Sequence, residues 1–298
     1  MSEHRFDRRV AIVTGAGRGI GRAHALLLAE RGASVVVNDL GGSMEGDGKD
    51  VEPASAVAAE IVAAGGAAIA DASDVATTAG GEALVDAAVA EYGRIDILVN
   101  NAGIVRWAGF PEADADNLER HLAVHVGGSF NTTRAAWPHM VEQRYGRVVM
   151  TTSTGMFGLP NNLSYATAKA AVIGLTRSLT TAGAKHGIKV NLIAPAAFTR
   201  MAGPPTDASE RMSSDLVAPM VAFLAHEDCP VSGEIYAAGA GRFARIFIAS
   251  TVGYVHPEPE PTIEDVARNW ATINDEEGYY LPADLMAWSA TFMGHLRP

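Results

Sequence analysis

With 298 residues, 48% of them hydrophobic and 19% charged, the chain can bury a sizeable core and is too apolar for a disordered polymer. Its formal charge of −11 excludes nucleic acid or an anionic membrane surface as the main partner, though a local pocket can still take an anion. A single cysteine, Cys229, excludes an internal disulfide framework and fits a reducing compartment.

Short β-branched apolar runs alternate with longer alanine-rich segments of helical period. Residues 10–14 read as a first strand, and 20–31 as the helix after it. A second strand covers 34–39, a third 67–70 and a fourth 95–100. Residues 147–151 and 189–194 make two more, each preceded by a long helical segment, and 233–237 offer a seventh. Runs such as Val35-Val36-Val37 suit strands buried on both faces. The expected fold is α/β: a doubly wound, mostly parallel sheet of the Rossmann type with about seven strands.

The loop over 41–53 is long and rich in Gly and Asp, and is expected to be mobile and exposed. After Gly241 the character changes. His256-Pro257-Glu258-Pro259-Glu260-Pro261 cannot be helix, while 262–269 has a helical pattern with Thr262 as its N-cap. Residues 1–241 are therefore read as the nucleotide-binding and catalytic domain. Residues 242–298 are read as an extension packed on it or on a neighbouring subunit, since roughly 55 residues is near the limit for independent folding. No run approaches ~20 uncharged apolar residues, so no membrane span is expected. Residues 1–7 lack an apolar signal core and the final His295-Leu296-Arg297-Pro298 is not a peroxisomal address, so a cytoplasmic location is expected.

Thr14-Gly15-Ala16-Gly17-Arg18-Gly19-Ile20-Gly21 stands where the first strand hands over to the first helix. Glycines there allow a tight turn and let backbone N–H groups approach a pyrophosphate at a helix N-terminus. Asp39 ends the second strand about 20 residues on, where a carboxylate accepts both adenosine ribose hydroxyls and repels a 2′-phosphate. It argues for NAD over NADP, while Arg18 in the same turn keeps a phosphate partner open. Asp74 and Val75 suit the adenine amino group and ring, although an aspartate there is also an ordinary helix N-cap. Asn101, Ala102 and Gly103, after Asn100, place small residues beside the path of a cofactor.

Tyr165-Ala166-Thr167-Ala168-Lys169 sets tyrosine and lysine one helical turn apart on one face. A free phenol titrates near ~10, and bringing it near neutrality takes about 4 kcal/mol of differential stabilisation. A lysine ammonium and an oxidised nicotinamide together supply that in a site with little water. The same pair is otherwise an exposed aromatic with a snorkelling lysine.

Together, Thr14-Gly15-x-x-x-Gly19-x-Gly21, Asn100-Asn101-Ala102-Gly103 and Tyr165-x-x-x-Lys169 resemble the short-chain dehydrogenase/reductase family over residues 8–241. The resemblance implies that Tyr165 is the acid/base, that Lys169 also binds the nicotinamide ribose, and that Pro195 to Thr199 hold the ring carboxamide. It implies a catalytic hydroxyl as well. Register points to Thr152 and residue type to Ser153, and both stay open. His125 stands where the family usually has an asparagine that anchors a relay water; it is read either as a relay residue or as a buried histidine bonded to helix backbone.

Val37-Asn38-Asp39-Leu40-Gly41-Gly42, His125 with Gly128-Ser129-Phe130, and Ile193-Ala194-Pro195 with Arg200-Met201 are similar to the (3R)-hydroxyacyl-CoA dehydrogenase unit of peroxisomal multifunctional β-oxidation enzymes. Asn162-Leu163-Ser164 departs from that pattern. The implied partners are a small alcohol or ketone, an acyl-CoA among them, and further copies of the chain in a homodimer or homotetramer joined by the helices over 117–144 and 165–185. The competing readings are reduction of a 3-ketoacyl, steroid or terpenoid ketone, and a dinucleotide sensor without chemistry. Residues 200–215 are read as part of a substrate lid, with Met201, Met212, Pro204 and Pro205 forming an apolar pocket.

Overall fold

The computed structural model describes residues 3–202 and 210–296. The chain divides into two compact units, Met1–Arg245 and Ile246–Pro298. In the first, β1 (Val10–Thr14), β2 (Ser34–Asn38), β3 (Ala67–Asp71), β4 (Ile97–Asn100), β5 (Gly146–Thr151), β6 (Ile188–Pro195), β7 (Ile235–Gly239) and β8 (Arg242–Ile246) form one sheet in the order β3-β2-β1-β4-β5-β6-β7-β8. The pairings from β3 across to β7 are parallel, with Val10 opposite Ser34 and Ala11 opposite Ile97.

Strand alternation sends Ala11, Val13, Val35, Val37 and Ile97 into one core layer with Leu28 of α1 (Gly19–Glu30), Ile61 of α2 (Glu52–Ala63) and Leu224 of α7 (Ala218–Ala225). The other face carries α3 (Thr78–Tyr92), α4 (Ala115–His121), α5 (Gly128–Gln143) and α6 (Leu163–Gly183). Both faces of the central strands β1, β2, β4, β5 and β6 are thus dry, which explains their unbroken apolar runs. Each fully buried side chain of the size of Ile12 or Leu28 contributes roughly 1.5–3 kcal/mol.

The mostly parallel Rossmann-type sheet expected from the sequence is present, with eight strands among the described residues: β8 follows a tight turn at Ala240 (φ 51°) and Gly241 (φ 75°), and its residues are largely exposed. One expectation needs correction. The helix expected across 117–144 is three pieces, because a π-helical turn over Leu122–Gly127 separates α4 from α5. Such turns hold an inserted residue and collect at functional sites. The second unit contains α8 (Ile263–Arg268), α9 (Trp270–Ile273) and α10 (Leu285–Phe292). Thr262 caps α8 in a reciprocal box with Asp265, as its sequence implies.

Candidate active site

The carboxyl ends of β1 to β6 open on a cavity of about 550 Å3. It lies where strand order reverses between β1 and β4, the place where open α/β sheets take ligands. Gly15 leaves β1 at φ 63°, and a Cβ there would stand 2.8 Å from the Ala102 Cα. At Gly21 a Cβ would lie 2.2 Å from the Gly15 carbonyl oxygen. The turn closes only with glycine at both. Gly17 packs instead against Pro53 and Asp39.

Arg18 is the N-cap position of α1, followed by Gly19 and Ile20, and no side chain among the described residues caps that end. Thr77, Asp114 and Asn162 do cap α3, α4 and α6. The first-turn N–H groups of α1 therefore keep their donors for an anion on the cavity wall.

Asp39 lies on the same wall. Its Oδ2 accepts from the Gly17 N–H at 2.9 Å and its Oδ1 from the Gly41 N–H at 2.7 Å, and each oxygen keeps a second lone pair. Asp74 Oδ1 accepts from the Ala76 N–H at 3.0 Å; the N-cap of α3 is Thr77, so Asp74 is not the cap. Asp74 and Val75 both line the cavity. The Asn101 Nδ2 donates to the carbonyls of Thr14 and Gly15, and the Thr14 hydroxyl accepts from the N–H groups of Asn101 and Ala102. These bonds stitch β4 to the glycine turn. A carboxylate beside uncapped helix donors, with room for a base at Asp74, is a donor and acceptor order that fits a dinucleotide.

At the other end, the Lys169 Nζ is buried, donates to the Thr151 carbonyl at 2.8 Å and lies 5.8 Å from the Tyr165 ring centre. Burial lowers its pKa to about 7. Burial also raises the Tyr165 phenol above its usual value, and a hydrogen bond with Ser153 opposes that rise. Thr152 is fully buried and donates its hydroxyl to the Lys169 carbonyl at 2.6 Å. Of the two adjacent hydroxyls, Ser153 is the one bonded to Tyr165.

His125 sits on the π-helical turn, buried, with Nε2 2.9 Å from the Ile104 carbonyl oxygen and its ring edge-on to Tyr165 at 5.4 Å. Its Nδ1 has no partner among the described residues. Burial first, then the nearby Lys169, keep it neutral. Gly103 makes room for it, since a Cβ there would lie 2.5 Å from His125 Cε1. Pro195 ends β6 and lines the cavity together with Thr199, which packs near Gly19. Met201 lines it too, and the Met212 carbonyl accepts from the Phe198 N–H; Pro204 and Pro205 lie outside the described residues.

Sequence reasoning missed three contributors. His121 stacks on His125 at 5.9 Å and meets Tyr165 at 6.3 Å; its i, i+4 spacing from His125 was the available signal. Asn162 caps α6 by accepting from the Tyr165 N–H, which sets the start of the helix carrying the tyrosine. The loop expected to be mobile is held down: the Met44 carbonyl accepts from the Val105 N–H, Gly46 abuts Ile104, and Ser43, Glu45 and Gly46 line the cavity.

Residues 9–208 match the family model described as short chain dehydrogenase. A Mycobacterium tuberculosis protein described as a short-chain type dehydrogenase/reductase is 42% identical over 91% of this chain and 95% of its own length. Peroxisomal multifunctional enzyme type 2 of Mus musculus is 44% identical over 91% of this chain, which spans only 37% of that enzyme. The structure of the full-length type 2 enzyme from Drosophila melanogaster superposes with a TM-score of 0.82 at 33% identity, over 98% of this chain and 50% of that one. The chain belongs to the short-chain dehydrogenase/reductase family of oxidoreductases acting on CH–OH groups.

Proposed function

We propose that the chain oxidises a secondary alcohol to a ketone with NAD as the hydride acceptor, and that its substrate class is the 3-hydroxyacyl thioester, an acyl-CoA among them. The observation that carries the reading is one cavity lined by Tyr165, Lys169 and the Asp39 carboxylate, with Ser153 bonded to Tyr165. Similarity to the peroxisomal multifunctional enzymes supports the thioester.

In this mechanism the Ser153 hydroxyl holds the substrate oxygen. The Tyr165 phenolate takes the hydroxyl proton onto its Oη as the carbinol hydride leaves. Lys169 steadies the phenolate charge and binds the nicotinamide ribose. NAD, when bound, supplies the carbon that accepts the hydride. Gly15, Gly19, Ile20, Gly21 and Arg18 hold the diphosphate, Asp39 the adenosine ribose, Asp74 and Val75 the adenine. Asn101, Ala102 and Gly103 flank the cofactor path, and Pro195 and Thr199 hold the carboxamide. His125, neutral and tied to Ile104, is read as a residue that positions the Tyr165 edge; its second nitrogen leaves a relay role open to the same test.

A second reading, ketone reduction, is favoured by the raised Tyr165 pKa, which keeps the phenol protonated and ready to donate at neutral pH. NADH absorbance measured with a panel of 3-hydroxyacyl-CoA, 3-ketoacyl-CoA, steroid and terpenoid substrates, run both ways with NAD(H) and NADP(H), tests both. Turnover only with NADP(H) would overturn the cofactor assignment, and none with any substrate would favour a sensor.

Among the described residues no helix is long and apolar enough to cross a membrane. A cytoplasmic location and a homodimer or homotetramer joined through α5 and α6 are part of the same proposal; the peroxisomal relatives weigh for an organelle instead. Cell fractionation and mass in solution test these two points.

A further inference from the structure

His4, His226 and Asp228 meet far from the cavity. The His226 carbonyl accepts from the buried Arg147 Nε at 3.3 Å, and Arg147 is the second residue of β5. The three side chains thus gather at the amino edge of the sheet, whereas the cavity lies at its carboxyl ends.

Their candidate donor atoms all lie within 4.8 Å of one another. His4 Nε2 and His226 Nδ1 stand 3.6 and 3.5 Å from the same oxygen, Asp228 Oδ2. Around a tetrahedral zinc ion with bonds of about 2.0–2.2 Å, neighbouring donors are about 3.3–3.6 Å apart. Two separations therefore fit as they stand. The third closes by rotation of His4, whose side chain is 50% exposed.

The hydrogen bonds of His226 fix its tautomer. Its Nε2 is 3.1 Å from the Arg5 carbonyl oxygen, which can only accept, so Nε2 carries the hydrogen. Its Nδ1 accepts from the Asp228 N–H at 3.1 Å, so that nitrogen carries no hydrogen and its one lone pair is engaged by the amide. An imidazole whose second nitrogen donates to a backbone carbonyl is the usual outer arrangement of a metal-bound histidine. An ordinary His–Asp ion pair needs a proton between the two groups. Here Nδ1 bears no proton, so its 3.5 Å approach to Asp228 Oδ2 is not an ion pair, and both atoms are free of protons that a cation would have to displace.

The geometry points to a zinc-class divalent cation site made of His4 Nε2, His226 Nδ1 and Asp228 Oδ2, with water in the fourth position. The ion displaces the Asp228 N–H from Nδ1, and that amide turns to water at an exposed residue. Imidazole with one carboxylate suits zinc better than calcium or magnesium, which take oxygen donors. The bound ion ties the segment before β1 to the loop after α7 and takes no part in the chemistry at Tyr165.

The test uses the full chain, stripped with a chelator and titrated with Zn2+ by calorimetry, and with Co2+ for the visible bands of a low-coordinate site. One Zn2+ binds per chain, and Tm rises on binding. His4→Gln and Asp228→Asn, both at exposed positions, each weaken that binding at least about tenfold and abolish the Tm rise, while the dehydrogenase rate is unchanged. His226 is left intact because its ring also holds the Arg5 carbonyl. Absence of Zn2+ binding by the parent chain, or equal binding by both variants, overturns the site.

Discussion

Thr152 donates its hydroxyl to the main-chain carbonyl of Lys169 at 2.6 Å, while Ser153, one residue on, bonds Tyr165. One hydroxyl is committed to holding α6 against the end of β5, and the other faces the phenol. Ser153→Ala should therefore lower kcat by about 10²-fold or more with dinucleotide affinity nearly unchanged. Thr152→Val should cost about 0.5–1.5 kcal/mol in urea unfolding, because the Lys169 carbonyl loses its second donor and keeps only its helical one. The reverse pattern, turnover lost through Thr152 alone, would assign the hydroxyl to Thr152.

Tyr165→Phe removes the proton carrier and keeps the ring packed beside His125 and His121. Turnover should fall by about 10²–10⁴-fold while the Kd for NAD changes little. The sign of the pH dependence follows from burial, which raises the phenol above its usual value. Alcohol oxidation needs the phenolate, so its kcat/KM should climb through neutral pH into the alkaline range, while ketone reduction should fall over the same range. Identical profiles in the two directions would remove Tyr165 from the proton step.

The parallel sheet and the Tyr165–Lys169 pair are legible because each depends on local pattern: two-sided apolar strands in one case, a single helical turn in the other. Other features depend on partners that a sequence does not show. β8 is short and largely exposed, so no buried run marks it as a strand. The π-helical turn inserts a residue without interrupting the helical pattern, which hides the reason why His125 points inward. The choice between Thr152 and Ser153 turns on how the chain leaves β5, and both residues carry the same chemistry. Gly and Asp in 41–53 signal a loop correctly, yet its anchorage comes from Ile104 and Val105, about 60 residues away in sequence.

Asp39 accepts two backbone N–H groups and still faces the cavity. Asp39→Ala should lower the ratio of kcat/KM for NAD over NADP by at least about tenfold, since a charged acceptor for the ribose hydroxyls is worth roughly 1.5–3 kcal/mol. Arg18 and Arg200, close enough to act on each other electrostatically, are then left without the opposing carboxylate and accept a 2′-phosphate more readily. An unchanged ratio would place the adenosine ribose elsewhere.

Gly103 and His125 are fitted to each other. In Gly103→Ala the new methyl group would lie 2.5 Å from Cε1 and 3.0 Å from Nδ1 of a buried ring held by Ile104 and stacked on His121. Overpacking of this kind costs about 1–3 kcal/mol, and the displaced ring should carry Tyr165 with it. The expected result is a lower urea midpoint together with a reduced kcat. A midpoint shift without a kcat change would separate His125 from the positioning of Tyr165.

His24 gives the clearest test of acid stability. It is buried on α1, neither ring nitrogen has a partner among the described residues, and burial lowers its pKa to about 3. In the unfolded chain the imidazole titrates near ~6.5. The folded value is the lower of the two, so between about pH 3 and 6.5 the unfolded state binds the extra proton and stability falls as pH drops through that window. From pH 7.5 to 5.5 this one group should remove about 1.3 kcal/mol. His121 and His125 are shifted in the same direction and stay in place in His24→Leu. Urea unfolding at the two pH values should therefore show a smaller acid loss in His24→Leu than in the parent, by about that amount. Equal losses in the two proteins would mean that His24 is hydrated enough to take its proton without unfolding the helix.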